Sequence, residues 1–172
     1  NIAEVEEGLF GYKFEKTDMG ELTQGVIKKY QRESLQRNIK ILADEAQAGV
    51  YFVSGDKNRL ETAITNYIDN SIKYSPNNGQ IEVSLHQDKY TLWFSIKDNG
   101  VGVSPESVEE LFTKFFRDKR AKAVHTEGTG VGLFIVKNII EKHGGKVGYD
   151  PIKKGGSLFY FTLPVYKEKE VK

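Results

Sequence analysis

The chain has no cysteine, one methionine, one tryptophan and four prolines in 172 residues. Without cysteine there are no disulfides, no thiolate metal sites and no cysteine nucleophile, which fits a reducing compartment. Net charge is also nearly absent. Lys and Arg number 25 against 24 Asp and Glu, leaving +1, so no basic footprint for nucleic acid is present and no nucleic-acid partner is expected. No apolar run approaches the ~20 residues needed to span a bilayer, and no signal-peptide pattern opens the sequence. Direct membrane contact by this chain is therefore not expected. It begins at Asn1 rather than Met, which suggests a piece of a longer protein, and a cytoplasmic location is the expectation, with membrane anchoring of the parent protein left open.

What is present is a foldable composition, 38% hydrophobic and 12% aromatic, with enough length to bury a core. Glycine is concentrated in two short stretches, Asp98-Asn99-Gly100-Val101-Gly102 and Gly128-Thr129-Gly130-Val131-Gly132-Leu133. Glycines at alternate positions permit positive φ and let backbone N–H groups approach a ligand. Two such loops, with an Asn-rich helix upstream, point to a nucleotide.

Ile2, Val5 and Leu9 have helical spacing before Gly8 and Gly11 break it, as the end of an upstream helix would. Asp18 and Glu21 have capping-box spacing ahead of the apolar stripe Leu22, Val26, Ile27 and Tyr30. Ile39 to Ala43 and Val50 to Val53 predict short strands, and Asp56 caps a helix running to about Tyr74. Ile81, Val83 and Leu85, then Leu92, Phe94 and Ile96, alternate with polar residues across the turn Gln87-Asp88-Lys89, which predicts a hairpin. A short helical piece is expected from Ser104-Pro105 to Phe116, and a charged loop over 117–129. Leu133, Val136 and Ile140 stripe a further helix that Gly144-Gly145 stops. Lys146 to Tyr149 and Leu158 to Leu163 close the chain as strands, followed by a charged tail from Lys167. Five or six strands mixed with helices predict an α+β domain with helices on one face of the sheet.

Asp98 shares parity with Leu92, Phe94 and Ile96, so its side chain points to the buried face. A carboxylate there is costly without donors; an adenine-type amine would supply one, and the competing reading is that Asp98 only starts a turn. On the preceding helix Asn66, Asn70 and Lys73 fall within roughly 60° of one another, opposite Leu60, Ile64, Tyr67, Ile68 and Ile72. Asn is a weak helix former, and amide oxygens suit Mg²⁺ beside phosphates. A solvated polar face that includes Asp69 and Arg59 is the alternative. The second glycine loop enters a helix at Val131, where free N–H groups attract anions. It is neither a Gly-Lys-Ser/Thr phosphate loop nor a Gly-x-Gly-x-x-Gly fingerprint.

These residues closely resemble the catalytic, ATP-binding domain of bacterial sensor histidine kinases, in the gyrase/Hsp90/histidine kinase/MutL ATPase superfamily. Asn66-Tyr67-Ile68-Asp69-Asn70-Ser71-Ile72-Lys73-Tyr74-Ser75 is similar to the N box and Asp98 to Gly102 to the G1 box. Leu111-Phe112-Thr113-Lys114-Phe115-Phe116-Arg117 resembles the F box, Gly128 to Leu133 the G2 box, and Gly156-Ser157-Leu158-Phe159 the closing strand motif. The resemblance implies a two-layer α/β sandwich, the Bergerat ATP-binding fold, with a mixed, mostly antiparallel sheet and a mobile ATP lid over Asp118 to Glu127. It divides the chain into 1–11, the stub of a dimerisation helix or linker, 12–166, the catalytic domain, and 167–172, a tail.

Carried over by position, the resemblance implies that Asn70 ligates Mg²⁺, Asn66 contacts phosphate or metal-bound water, and Lys73 meets the phosphates. Tyr74 packs on adenine, Asp98 accepts from its amine, and Gly100 and Gly102 shape that pocket. Gly128, Thr129, Gly130, Val131, Gly132 and Leu133 close over the phosphates, Arg117 reaches the γ-phosphate, and Ser157 joins the nucleotide site. Asn66, Lys73 and Arg117 are the implied catalytic residues, and ATP and Mg²⁺ the cofactors.

Hydrolytic members of the superfamily carry a Glu at the position of Asn66. An amide takes no proton, so phosphoryl transfer is expected rather than efficient hydrolysis. The implied acceptor is a histidine on a separate dimerisation domain of the same parent, a homodimer, with a response regulator further downstream; this chain alone is expected to be monomeric. None of His86, His125 or His143 lies in the family's phosphoacceptor context. Ser71 departs from the usual Ala, and Arg117, Lys119, Arg120 and Lys122 make the lid basic. The alternatives are an anti-sigma-type serine kinase on the same fold, and a regulatory module or pseudokinase in which nucleotide only sets conformation.

Overall fold

A computed structural model describes residues 11–43 and 46–168. The N-terminal helical stub expected over Ile2 to Leu9 lies outside the described residues, as does most of the charged tail. Seven strands and four helices follow in order: β1 (Glu15–Asp18), α1 (Met19–Gln36), β2 (Lys40–Leu42), β3 (Phe52–Gly55), α2 (Lys57–Tyr74), β4 (Gln80–Gln87), β5 (Thr91–Asp98), a 3₁₀ turn (Pro105–Glu110), α3 (Lys119–Val124), α4 (Gly132–Lys142), β6 (Lys146–Pro151) and β7 (Ser157–Pro164).

Local chemistry explains the boundaries. Asp18 caps α1, accepting from the Gly20 N–H at 2.9 Å and the Glu21 N–H at 3.2 Å, and Asp56 caps α2 through the Arg59 N–H at 3.1 Å. Each side chain satisfies N–H groups that the first helical turn leaves without partners. Between β4 and β5, Asp88 accepts from the N–H groups of Tyr90 and Thr91 at 2.7 and 2.8 Å, closing the hairpin. At the end of α4, the Gly145 N–H returns to the Ile140 carbonyl at 2.9 Å.

The main sheet has the order β2-β4-β5-β7-β6. Only β2 and β4 are parallel; the other neighbours are antiparallel. The sheet is thus mixed and mostly antiparallel, and the α+β architecture expected from the sequence is the one observed. The register pairs Asp98 with Ile81 on one side and with Ser157 on the other. Phe94 and Phe161 lie side by side with ring centroids 4.8 Å apart, and Tyr67 of α2 packs on both at 6.2 and 5.9 Å. Leu60, Ile64, Tyr67, Ile68 and Ile72 are all buried, as their arc on α2 requires, against Ile81, Val83, Leu85, Leu92 and Ile96 of the sheet.

Three elements differ from the sequence expectation. Strand β1 was not anticipated; its four residues pair antiparallel with β3 as a separate two-stranded sheet. The piece after Ser104 is a 3₁₀ turn that stops at Glu110 rather than a helix reaching Phe116. The charged segment 117–129 contains the short helix α3, which Asp118 caps through the Arg120 N–H at 2.8 Å.

Candidate functional site

A cavity of about 340 Å³ opens beside α2, the end of β5, the start of β7 and the second glycine loop. Of the fifteen residues singled out from the sequence, fourteen line it: Asn66, Asn70, Lys73, Tyr74, Asp98, Gly102, Arg117, Gly128, Thr129, Gly130, Val131, Gly132, Leu133 and Ser157. Gly100 does not. It sits behind the wall and donates its backbone N–H to Asp98 at 2.9 Å.

Asp98 is 6% exposed and faces this cavity from the last position of β5. Strand parity put it there, with the buried Leu92, Phe94 and Ile96. One carboxylate oxygen accepts from the Gly100 N–H, the other from the Ser71 hydroxyl at 3.2 Å. Burial is the dominant influence and pushes its pKa up from 3.8 to about 6, against the pull of bonds from Gly100, Ser71 and the Ser157 backbone. A buried carboxylate with these donors, turned toward an open cavity, is suited to accept from a ligand amine.

The amide face of α2 forms a second wall. Asn66 donates its side-chain NH₂ to the Thr62 carbonyl at 2.9 Å, and its Oδ1 points toward the glycine loop. A Cβ added at Gly132 would stand 2.8 Å from that oxygen, so any larger residue at the start of α4 would make the Asn66 amide turn away. Gly130 has φ +68°, and a Cβ there would meet the Phe115 and Phe116 backbone at 2.8 Å. The loop therefore needs glycine at 130 for its backbone, whereas at 132 glycine leaves the Asn66 amide where it is. Val131 caps α4 without a side-chain bond to its N–H groups, which fits an anion at this end of the helix.

The two basic residues have intramolecular partners. Lys73 is ion-paired to Asp69 one turn earlier at 2.6 Å, and Asp69 also accepts from the Tyr30 hydroxyl at 3.3 Å. Arg117 donates to the backbone carbonyls of Thr126, at 2.8 Å, and His125, so it braces the lid while lining the cavity. Sequence reasoning missed the Ser71 hydroxyl, noted only as a small substitution, and the buried Asp118. It also missed the apolar wall of Val103, Leu111, Phe116 and Ile135. A polar residue just before a helical run is the capping signal that marks Asp118.

Residues 55–167 match the family described as histidine kinase-, DNA gyrase B-, and HSP90-like ATPase. The sensor histidine kinase WalK of Bacillus subtilis (strain 168) is 35% identical over 121 residues, covering 69% of this chain and 20% of its own length. The adaptive-response sensory kinase SasA of Synechocystis sp. is 36% identical over 150 residues, 87% of this chain and 38% of its own length. The chain thus spans well under half the length of these relatives. Among solved structures, a mycobacterial sensor histidine kinase, MprB, superposes with a TM-score of 0.80 at 30% identity, covering 90% of this chain and all of the other. The catalytic domain of histidine kinase ThkA gives 0.76 at 26% identity, covering 88% of this chain and 97% of the other. The chain belongs to the family of histidine kinase-, DNA gyrase B- and HSP90-like ATPases.

Proposed function

We propose that this chain is the catalytic domain of a sensor histidine kinase, which binds Mg-ATP and passes the γ-phosphoryl group to a histidine on a separate dimerisation domain. The observation that carries this reading is the single cavity joining three features: the buried Asp98 carboxylate, the amide face of α2, and the glycine loop at the start of α4. An adenine amine would donate to Asp98 with Tyr74 against the ring, and the triphosphate would extend toward Asn66, Asn70 and the loop from Gly128 to Leu133.

Among the described residues no group of three or more His, Cys, Asp or Glu side chains is placed to hold a metal. Mg²⁺ takes few protein oxygens and completes its shell with phosphates and water. Asn70 would hold it, with Asn66 on a phosphate or a metal-bound water. The ion would neutralise charge that develops on the phosphates. Lys73 and Arg117 would orient and balance the transferred group, which is most of what phosphoryl transfer asks of a protein. Asn66 cannot take a proton from water, so transfer to an acceptor is favoured over hydrolysis.

In this reading residues 12–166 form the catalytic unit, 1–11 end the linker from the dimerisation domain, and 167–172 are a tail. The parent works as a homodimer in or at the cytoplasm and hands phosphate to a response regulator, while this chain alone is a monomer. Among the described residues no helix is long and apolar enough to cross a membrane. The test is calorimetric titration with a non-hydrolysable ATP analogue, with and without Mg²⁺, on the chain and on Asp98→Asn. Magnesium-dependent binding is expected, weakened about tenfold to a hundredfold by the substitution, the range for losing a bond to a charged acceptor. No binding by the unaltered chain overturns the proposal. Phosphotransfer to an added dimerisation domain then separates a kinase from a module that only binds nucleotide.

A further inference from the structure

Asp118, Ser104 and Ser107 form a buried polar cluster, 4%, 1% and 8% exposed, that phosphoryl transfer does not use. Asp118 immediately follows Arg117 at the root of the lid, and Ser104 follows the Val101-Gly102-Val103 wall of the cavity. One Asp118 carboxylate oxygen accepts from both the backbone N–H of Ser104, at 3.2 Å, and its hydroxyl. The other accepts from the Arg120 N–H at 2.8 Å, and the Asp118 carbonyl accepts from the Lys122 N–H at 3.0 Å. The Ser104 and Ser107 hydroxyls are bonded to each other at 2.9 Å. Bonds from the two serines and from the Ser104 and Arg120 amides hold the Asp118 carboxyl below its ordinary range despite its burial. Around it, Arg120 reaches the Val103 carbonyl at 3.4 Å and Lys119 pairs with Glu106. Lid root and cavity wall, fourteen residues apart, are thus joined through one ionised carboxylate.

We propose that Ser104 and Asp118 form a clasp that fixes the root of the lid to the adenine side of the cavity and thereby sets how long a nucleotide stays bound. Asp118 is a positioning residue: it holds the first turn of α3 and, one residue back, the point from which Arg117 extends to the carbonyls of His125 and Thr126. The lid then moves beyond Asp118 rather than from it. The functional half of this proposal rests on the reading of the cavity as an ATP site; the structural half does not.

The test uses the chain as it stands and the variants Ser104→Ala, Asp118→Asn and the double variant. Asparagine can still cap α3, so Asp118→Asn removes the charge of the clasp and keeps the helix start. The first readout is hydrogen exchange without nucleotide. Faster exchange at the Arg120 and Lys122 amides in Ser104→Ala, with α2 and β5 unchanged, supports the clasp; unchanged exchange there overturns it. The second readout is stopped-flow release of a fluorescent ADP. Each single variant should release it about tenfold faster, the loss of one hydrogen bond to a charged group, and the double variant should be no faster than Asp118→Asn alone. Release that is unchanged in both single variants, or additive in the double one, overturns the role in retention. Failure of the unaltered chain to bind the labelled ADP overturns the ATP reading and the retention role together, and the exchange data still decide whether the clasp exists.

Discussion

Asp98 is held under two opposed demands. Its neighbours along β5 are core residues, and desolvation lifts its pKa from 3.8 to about 6, yet only the ionised form is a full acceptor for an amine. The folded chain therefore binds the Asp98 proton more tightly than the unfolded chain does, and this residue's contribution to stability is lost as pH rises from about 4 through about 6. At pH 7 the ionised carboxylate costs the empty domain up to about 3 kcal/mol, from 1.36 kcal/mol per pKa unit. Asp98→Asn should accordingly raise the stability of the nucleotide-free chain at pH 7 by about 1–3 kcal/mol while it weakens nucleotide binding. Urea unfolding at pH 7 and at pH 4 checks this, since the gain should shrink at the lower pH; an equal or negative effect at pH 7 would show that burial of Asp98 is not strained. Parity alone made the direction of this side chain legible in the sequence. The Ser71 bond was not legible, because it joins α2 to β5, and no spacing within either element specifies how the two are set against each other. Lys73 and Arg117 were read as phosphate contacts, and their present partners, Asp69 and the lid carbonyls, belong to the same problem of placement between segments.

Elements with their own start signals were the most legible. Asp18 and Asp56 each precede an apolar stripe of helical period, and both cap helices as that pattern predicts. Strand β1 gives no such signal: Glu15-Lys16-Thr17-Asp18 has no apolar alternation and exists because β3 pairs with it, with the Thr17 hydroxyl donating to the Gly55 carbonyl at 3.0 Å. The lid helix α3 was missed for a related reason, since its six residues bury none of their own and its start depends on the buried Asp118. The glycine loop was legible as a ligand-binding entry, but the reason for Gly132 appears only where α4 meets α2. Gly132→Ala places a methyl 2.8 Å from Asn66 Oδ1, the far end of a flexible side chain that must turn away. Alanine is meanwhile about 1 kcal/mol better than glycine within a helix. The expected result is a melting temperature within a few degrees of the unaltered chain and nucleotide affinity reduced about tenfold, read by calorimetry and thermal unfolding together. A large fall in melting temperature would instead make the contact structural, and unchanged affinity would remove Asn66 from the site.

At the scale of the whole molecule, the three histidines, all among the described residues, stand outside the lining of the cavity. Asp98 and the core side chains of β5 point to the face covered by α2 and α4, whereas His86 lies on the other face beside Trp93, ring centroids 5.7 Å apart. His143 is 6% exposed at the far end of α4, eleven residues or about 16 Å from the glycine loop. Both of its ring nitrogens are engaged: Nε2 accepts from the Asp56 N–H at 2.9 Å, and Nδ1 donates to the Ile139 carbonyl at 2.7 Å. Burial holds its pKa below 6.5, which keeps the ring neutral and the bond to Asp56 intact. Only His125 lies in the lid, and Arg117 binds its carbonyl. In the proposed reading the phosphoacceptor histidine therefore lies outside this chain. Incubation with ATP labelled at the γ position should leave no alkali-stable label on this chain alone, and label should appear on a histidine-bearing dimerisation domain added in trans. Alkali-stable label on the chain itself that His125→Ala removes would make the lid its own acceptor and overturn the division of labour proposed for the two domains. Label that persists in that variant would point to His86 or His143, and so to a rearrangement that uncovers one of them.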